Sequence, residues 1–326
     1  MFKSIYSSEF TQYYTLRSSV LSASALQHEK CYLKRFDEYL YKSVQVKGEL
    51  TEECITKWIS KLSGKSSSIE NQIIVIRQFL NYLKLSGEKV FIPVIPKVHD
   101  DYVPYLFSDD EIERIFNSAD NIVQRAHNAD PYLVYEFPVI LRLLYSCGLR
   151  IGETLNIRIS DVDFSNGVLH MKNTKGDKER LVPMSSNMTD ILIRYCIAMN
   201  IYEKNTSFLF PSFMDREKHI SDRSVKHRFE YILKENEISL PNRRKHERGP
   251  CLHCLRHVFA FKSFTKSERI GIHLDDAIPY LSIYLGHDSL NETAKYLKFS
   301  SEMFPEAVVA FDKYMADLLP EVDYET

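Results

Sequence analysis

A proline-bearing stretch near residue 100 divides the chain into two parts. Residues 91–107 read FIPVIPKVHDDYVPYLF and contain three prolines without a helical period, which is typical of an extended connection between domains. The 326 residues also exceed the usual size of one domain and suffice for two separate cores. We therefore expect a domain at residues 1–98, a linker at residues 99–106 and a second domain at residues 107–326.

The first domain has the apolar spacing of short helices. The clearest begins at Thr51 and has Glu52 and Glu53 in its first turn, where acidic side chains favour the positive end of the helix dipole. A further helix is predicted from about residue 68 to 85, ending at Gly87. The first domain is therefore expected to be helical.

The second domain is expected to be mainly helical with one small sheet. Ser108 and Glu111 have the spacing of a capping box, and Phe107 and Ile112 that of a hydrophobic staple, so a helix should begin there. Residues 161–183 instead show short β-type runs broken by Asn-Gly and Gly-Asp pairs, which predict about three antiparallel strands. The fold class is therefore mainly α with a small antiparallel sheet, in two domains.

The charge is unevenly distributed. The net charge of −2 argues mildly against nucleic acid as a partner, because phosphate binding usually needs excess Lys and Arg. Residues 297–326, however, hold two lysines and seven acidic residues, so the rest of the chain is at +3. A basic run, Arg243, Arg244 and Lys245, lies between two prolines. This run either contacts phosphate or is a solvated loop.

Composition favours a protein of the reducing cytoplasm. The six cysteines are scattered, without the dense spacing of a disulfide framework. The sequence has no long apolar run, and its first residues lack the features of a signal peptide. We expect a cytoplasmic, nucleoid-associated protein without a membrane partner.

Several residues attract attention, although each has an ordinary explanation when taken alone. Arg150 would suit a helix start paired with Glu153, and Lys175 would suit a solvated hairpin. An H-x-x-R pair such as His253 and Arg256 often arises by chance. Two further candidates are equally ambiguous: His287 can be a helix cap, and Tyr296 can be a half-buried aromatic side chain.

The order and spacing of these residues are more specific than any one of them. GLRIGE at 148–153 is followed by the hairpin lysine, HCLRH at 253–257, LGH at 285–287 and a tyrosine nine residues later. This series resembles the tyrosine recombinase family, the phage integrases of Xer type, over about residues 105–300. The first hundred residues suffice for a helical core-binding domain but not for an additional arm-binding domain.

The resemblance implies a DNA clamp of two domains and assigns roles to six residues. Tyr296 would attack a DNA phosphate and form a 3′-phosphotyrosine. Arg150 and Arg256 would bind its non-bridging oxygens, with Glu153 holding Arg150. Lys175 would be the general acid, and His253 would help to transfer the tyrosine proton. His287 would donate a further hydrogen bond to phosphate.

No cofactor, metal or ATP follows from these roles, because cationic side chains supply the charge that Mg²⁺ supplies in many nucleases. A zinc site at Cys251, Cys254 and His257 is a weaker alternative, since no second ligand pair has the required spacing. The sequence departs from the family around the tyrosine, where Thr293 is followed by Ala294 and the tyrosine by Leu297. This departure affects the hydrogen bonds expected around the tyrosine, not its expected role as the nucleophile.

The expected partner is duplex DNA with inverted-repeat core sites, and the expected assembly is a tetramer. A helix at about residues 305–318 would have one apolar face and dock on the next protomer, or pack on its own domain. The expected activity is site-specific recombination, for integration and excision of a mobile element or for multimer resolution. Alternatives are a type IB topoisomerase, an inactive DNA-binding accessory protein and a helical interaction protein.

Overall fold

The computed structural model describes residues 2–48, 50–96, 104–123, 130–172, 179–241 and 247–294. The chain forms two compact units, Met1–Tyr102 and Val103–Thr326. Most of the linker expected at residues 99–106 lies outside the described residues. Within the described residues, no helix has the length and apolarity needed to cross a membrane.

The described part of the first unit is a small helical bundle. Its helices are α1 (Ser7–Ser18), α2 (Ala23–Ser43), α3 (Glu52–Ser60) and α4 (Ser66–Leu85). As predicted, Thr51 caps α3, its hydroxyl accepting a hydrogen bond from the Cys54 amide. Aromatic side chains fill the core: Phe10 stacks on Phe79 with ring centroids 4.0 Å apart. Such pairs add specific geometry to apolar burial.

The described part of the second unit is a larger helical domain that carries one small sheet, which confirms the predicted fold class. Its helices are α5 (Asp109–Asp120), α6 (Leu133–Ser146), α7 (Ile151–Leu155), α8 (Ser186–Ala198), α9 (Asp222–Glu235), α10 (Leu252–Arg269), α11 (Leu274–Leu285) and α12 (Leu290–Ala294). Its strands are β1 (Val162–Asp163), β2 (Val168–Met171) and β3 (Arg180–Pro183).

Helix α5 begins at the predicted capping box. The Glu111 amide donates to the Ser108 hydroxyl at 3.1 Å, and the Ser108 amide donates to the Glu111 carboxylate at 2.9 Å. These bonds satisfy amides that a helix start would otherwise leave without an acceptor. Phe107 and Ile112 are both buried in the core of this unit.

The three strands form an antiparallel sheet in the order β1-β2-β3. Leu169 pairs with Val162 on one side and with Val182 on the other, and all three side chains are buried. The predicted Asn166-Gly167 turn joins β1 to β2, and Gly167 has a φ of +64°, which glycine adopts readily. Lys175 belongs to the β2–β3 connection, whose residues 173–178 lie outside the described residues.

Helix α10 is the central buried helix of the second unit. It packs against α6 and α11, and most of its first two turns is buried. That buried part contains a cation, since Arg256 is only 1% exposed. A buried guanidinium is stable only if protein groups replace its lost hydration.

A second buried ionisable group lies in α6. Glu136 is 0% exposed, and neither carboxyl oxygen has a hydrogen-bond partner among the described residues. Burial, followed by the nearby charge of Asp130, raises the pKa of Glu136 to about 9. The carboxyl group is therefore protonated in the folded protein at neutral pH.

We expect Glu136→Gln to remove a pH dependence of stability. Between about pH 4.5 and 9 the folded state holds a proton that the unfolded state has released. Wild-type stability should therefore fall as pH rises, by at most about 1.4 kcal/mol per pH unit. Thermal unfolding should show the variant more stable than wild type at pH 8 and nearly equal at pH 5.

Glu113→Gln is the matched control, because Glu113 is exposed on α5. This control should leave the pH profile of the wild type unchanged. A constant difference between Glu136→Gln and wild type across the whole pH range would contradict the protonated state.

Candidate active site

Four of the six predicted catalytic residues come together in the second unit. Arg150 precedes α7, His253 and Arg256 lie in the first turns of α10, and His287 follows α11. The other two, Lys175 and Tyr296, lie outside the described residues, as do Arg243, Arg244 and Lys245. Tertiary packing thus brings Arg150 and His287 together, although they are far apart in the sequence.

The buried guanidinium of Arg256 is fixed by three acceptors. Nη1 donates to the carbonyl oxygen of Gly148 at 2.7 Å, and Nη2 donates to that of Leu285 at 2.8 Å. Nη2 also lies 2.9 Å from Nε2 of His287. These contacts join the start of the GLRIGE motif, the H-x-x-R helix and the LGH motif at one side chain.

The contact with Arg256 defines the tautomer of His287. A guanidinium has no acceptor, so Nε2 of His287 must accept its hydrogen bond and Nδ1 carries the proton. Nδ1 then donates to the Thr293 hydroxyl at 2.6 Å. Burial first, and then the charge of Arg256, lower the pKa of His287 to about 3. The imidazole is therefore neutral and links Arg256 to α12.

Two glycines in the motifs make these acceptors available. Gly148 and Gly286 both have left-handed backbone conformations, with φ of +60° and +65°, which suit glycine. A Cβ atom at Gly148 would lie 2.4 Å from the ring of Phe259, and one at Gly286 would lie 2.9 Å from Arg180. A larger residue at either position would displace the neighbouring side chain.

Arg150 occupies the more accessible side of the cluster. Its Nη1 donates to Glu153 at 2.8 Å, and both Nη atoms approach the Gly286 carbonyl oxygen at 3.3 and 3.4 Å. The Arg150 amide also donates to Glu153 at 3.1 Å. The side chain retains 25% exposure, so this guanidinium can meet a ligand from solution while Glu153 restricts its orientation.

A third arginine that the sequence patterns did not single out completes the cluster. Arg180, at the start of β3, donates from Nη2 to Glu153 at 2.8 Å and from Nε to the Tyr284 carbonyl oxygen at 2.8 Å. Burial alone would raise the pKa of Glu153, but the bonds and charges of Arg180 and Arg150 lower it. The ion-pair role predicted for Glu153 is therefore shared between two arginines. An R-L-V-P strand gives no local signal of such a contact.

His253 is exposed and adjoins the arginine cluster. Desolvation by surrounding protein, followed by the charges of Arg256 and Arg150, lowers its pKa to about 4. Its ring contacts the buried ring of His257 edge to face, with centroids 4.6 Å apart. At neutral pH His253 is therefore an uncharged imidazole next to positive charge, able to accept a proton.

The cluster as a whole suits a phosphate group. The site holds three guanidinium groups but one carboxylate, Glu153, which Arg150 and Arg180 share. The two neighbouring histidines are neutral, so the site carries excess positive charge in a partly buried setting. Such preorganised donors stabilise the negative charge that develops at a phosphate under attack. Among the described residues, no group of three or more His, Cys, Asp or Glu side chains is arranged to hold a metal ion.

The helical fold, the small sheet and this arginine–histidine cluster are those of a domain suited to bind a phosphate group. The model of the phage integrase family matches residues 106–303. The chain belongs to the phage integrase family. It is a tyrosine-type site-specific recombinase that acts on DNA, which confirms the predicted function and enzyme class.

Relatives and solved structures agree with this assignment. A putative integrase/recombinase, y4rB, of Sinorhizobium fredii is 29% identical and covers 82% of this chain and 86% of its own length. The tyrosine recombinase XerA of Pyrococcus horikoshii is 26% identical, and the match covers 92% of this chain and 91% of XerA. The fold is similar to that of the XerH recombinase bound to palindromic difH substrate, with a TM-score of 0.67, 19% identity, and coverage of 88% of this chain and 80% of that one.

We expect Arg180→Gln to slow strand cleavage more than it weakens DNA binding. Loss of the Arg180 fork frees Glu153, and misplacement of a catalytic group by about 1 Å can cost about 100-fold in rate. Covalent adduct formation should therefore fall about 10- to 100-fold, while the Kd for DNA changes by less than about threefold. Arg180→Lys should recover only part of the rate, because lysine lacks the planar fork.

Arg194→Gln is the control, since Arg194 is an exposed arginine on α8. It should leave cleavage and binding unchanged. If Arg180→Gln lowers the melting temperature but cleaves DNA at the wild-type rate, Arg180 acts on stability alone.

Proposed function

We propose that Tyr296 is the nucleophile of this recombinase and that the arginine cluster stabilises the phosphate it attacks. The tyrosine oxygen would bond to phosphorus, the 5′ oxygen of the next nucleotide would leave, and a 3′-phosphotyrosine would remain. A free 5′ hydroxyl from the partner strand would then reverse the step and release the tyrosine. The bond energy is conserved throughout, so this cycle needs no ATP.

The observation that carries the proposal is the chain of hydrogen bonds from Arg256 through His287 to Thr293. Tyr296 follows Thr293 by three residues in the sequence, and three residues span at most about 11 Å. The covalent chain therefore keeps Tyr296 close to the cluster. Lys175 is similarly restricted, since it is five residues before Arg180.

Arg150 and Arg256 would have different roles because their exposure to solvent differs. Arg150, with an accessible guanidinium, would bind a non-bridging oxygen directly. Arg256, which is almost fully buried and bonded to two carbonyl groups, would contribute positive charge and hold His287. Direct contact of Arg256 with phosphate, as the family resemblance implies, would compete with its bond to His287. Likewise, a hydrogen bond from His287 to phosphate would compete with the bond between His287 and Arg256.

Proton transfer would be shared by Lys175 and His253. Lys175 would protonate the departing 5′ oxygen, and neutral His253 would accept the proton of the tyrosine hydroxyl. Positive side chains thus supply the charge stabilisation that metal ions supply elsewhere. The reaction is therefore proposed to be independent of metal ions.

The two units would bind duplex DNA as a clamp. The helical first unit would act as a core-binding domain, and the basic run of Arg243, Arg244 and Lys245 would contact the backbone beside the site. The proposed substrate is a core site with inverted repeats, where each half-site binds one protomer. Such recombination serves integration and excision of a mobile element, or resolution of DNA multimers.

Covalent trapping tests the nucleophile. The protein is incubated in EDTA with nicked duplexes taken from the flanks of its own gene, and adducts that resist SDS are counted. We expect an adduct with wild type and none with Tyr296→Phe, because phenylalanine lacks the attacking oxygen. Tyr202→Phe, a surface tyrosine of the same unit, should form the adduct normally.

An adduct that persists in Tyr296→Phe would assign the chemistry to another residue. Binding of the same duplexes without any wild-type adduct would support the reading of an inactive DNA-binding accessory protein.

The C-terminal segment is proposed to dock on the neighbouring protomer and to build a cyclic tetramer. An apolar groove of about 400 Å³ lies between α10 and α11, lined by residues that include Phe259, Phe264, Ile272, Tyr280 and Leu281. Tyr280 is 76% exposed, so the groove presents an aromatic side chain to solvent. The sequence pattern of Val308, Phe311, Met315 and Leu318 has the spacing of a complementary apolar helix face.

Removal of residues 301–326 should spare DNA binding and abolish cooperative synapsis. Gel-shift titrations should show half-site binding at the wild-type Kd but no tetrameric complex of two duplexes. Tyr280→Glu, which places a charge in the groove, should have the same phenotype. Tyr231→Glu is the surface control, because Tyr231 is also exposed but lies on α9.

Mixing the truncated protein with Tyr280→Glu distinguishes docking between protomers from packing within one. If the helix docks on a neighbour, the mixture regains one intact interface per pair and part of its cooperativity. No recovery would favour packing on the same chain, and unchanged recombination by the truncated protein would contradict the docking proposal.

A further inference from the structure

Two cysteines bracket the catalytic-site histidine His253. Cys251 is exposed and immediately precedes α10, and Cys254 lies in the first turn of that helix with 0% exposure. Their sulfur atoms are 3.6 Å apart. Cys251 is the N-cap of α10, a position where Ser, Thr, Asp or Asn is usual.

The two thiols are chemically different. The hydrogen bond from Cys254, together with the backbone amides of the helix start and the charge of Arg248, lowers the pKa of Cys251 to about 6, although burial opposes this. The same pairing and burial raise the pKa of Cys254. Cys251 is therefore the accessible and more acidic thiol, and Cys254 is a protected thiol within reach of it.

We propose that Cys251 and Cys254 form an oxidisable dithiol, and that its conversion to a disulfide by a peroxide switches off strand cleavage by displacing His253. The inference rests on the proposed function for its effect on cleavage, but not for the formation of the disulfide itself.

The reaction balances with one peroxide molecule for each disulfide. The Cys251 thiolate attacks one peroxide oxygen, the O–O bond breaks, and the sulfenic acid forms with release of one water after proton uptake. The Cys254 sulfur then attacks the Cys251 sulfur, loses its proton, and expels a second water. Two thiols are oxidised and peroxide is reduced to two waters. A small dithiol reverses the change by exchange.

The bond would reshape the first turn of α10. A disulfide has an S–S length of about 2.05 Å, so the sulfurs must approach by about 1.5 Å. Cys254 is fully buried, and the movement therefore falls on Cys251 and the residues between them. One of these is His253, whose ring contacts His257 and lies in the field of Arg150 and Arg256. The proposed switch requires that part of this displacement reach His253, and about 1 Å is enough to misplace a proton acceptor.

Trypsin gives a direct readout of the dithiol. Cleavage after Arg248 and Arg256 releases residues 249–256, which contain both cysteines and no other. The full-length protein is treated with hydrogen peroxide or dithiothreitol, alkylated, and digested. After peroxide we expect this peptide to lack both alkyl groups and two hydrogens, and to regain alkylation after dithiothreitol.

Cleavage of the nicked duplexes is measured on the same samples. Oxidation should reduce the rate of adduct formation about tenfold or more, and dithiothreitol should restore it. Cys251→Ser, which offers a hydroxyl at the helix start, should cleave DNA at the rate of the reduced wild type and resist peroxide. Cys254→Ala should also fail to form the disulfide. Cys31→Ser, which removes an exposed cysteine of the first unit, should respond as wild type does.

Each result decides one part of the proposal. A peptide that remains fully alkylated after peroxide overturns the dithiol, whatever the protein does to DNA. A disulfide that forms without slowing cleavage overturns the switch. Absence of any adduct with the reduced wild type would instead count against the proposed nucleophile, and the peptide masses would still report on the dithiol.

Discussion

Glu153 holds the two halves of the site together. Its carboxylate accepts hydrogen bonds from Arg150, three residues before it in the chain, and from Arg180, at the start of β3. Its side chain is 7% exposed, so removing either cation would leave a buried charge poorly compensated. The GLRIGE motif and the small sheet, which carries the lysine hairpin, are therefore fixed to each other through this one side chain.

Two backbone turns hold Arg256 in place in a comparable way. Gly148 and the Leu285-Gly286 turn place carbonyl oxygens where guanidinium groups need acceptors. Because these acceptors are neutral, they hold the arginines without cancelling their charge. The neutral states of His253 and His287 follow first from desolvation by the surrounding protein and then from the charges of Arg256 and Arg150, beside which a further positive charge is unfavourable. The site is thus basic overall, yet its imidazoles can accept hydrogen bonds at neutral pH.

Much of the fold was predictable because its signals are local. The capping box at Ser108, the Thr51 cap and the Asn166-Gly167 turn each depend on residues within a few positions of one another, and each is present in the structure. The family was predictable for a different reason, since ordered motifs report a shared three-dimensional site. The zinc alternative illustrates the limit of such reasoning: spacing in the chain cannot say that Cys251 and Cys254 face each other at 3.6 Å.

The sequence alone determined the helical fold class, the division of the chain near residue 100, and the identity of the candidate catalytic residues, because periodicity, caps and motif order are all written along the chain. The tertiary structure decided that Glu153 is shared with Arg180, that His287 accepts from Arg256 and donates to Thr293, and that Arg256 is buried while Arg150 is accessible. The contact of Arg150 with the Gly286 carbonyl oxygen joins residues 136 positions apart. Such pairings arise only when packing closes the intervening chain, so no local pattern can report them.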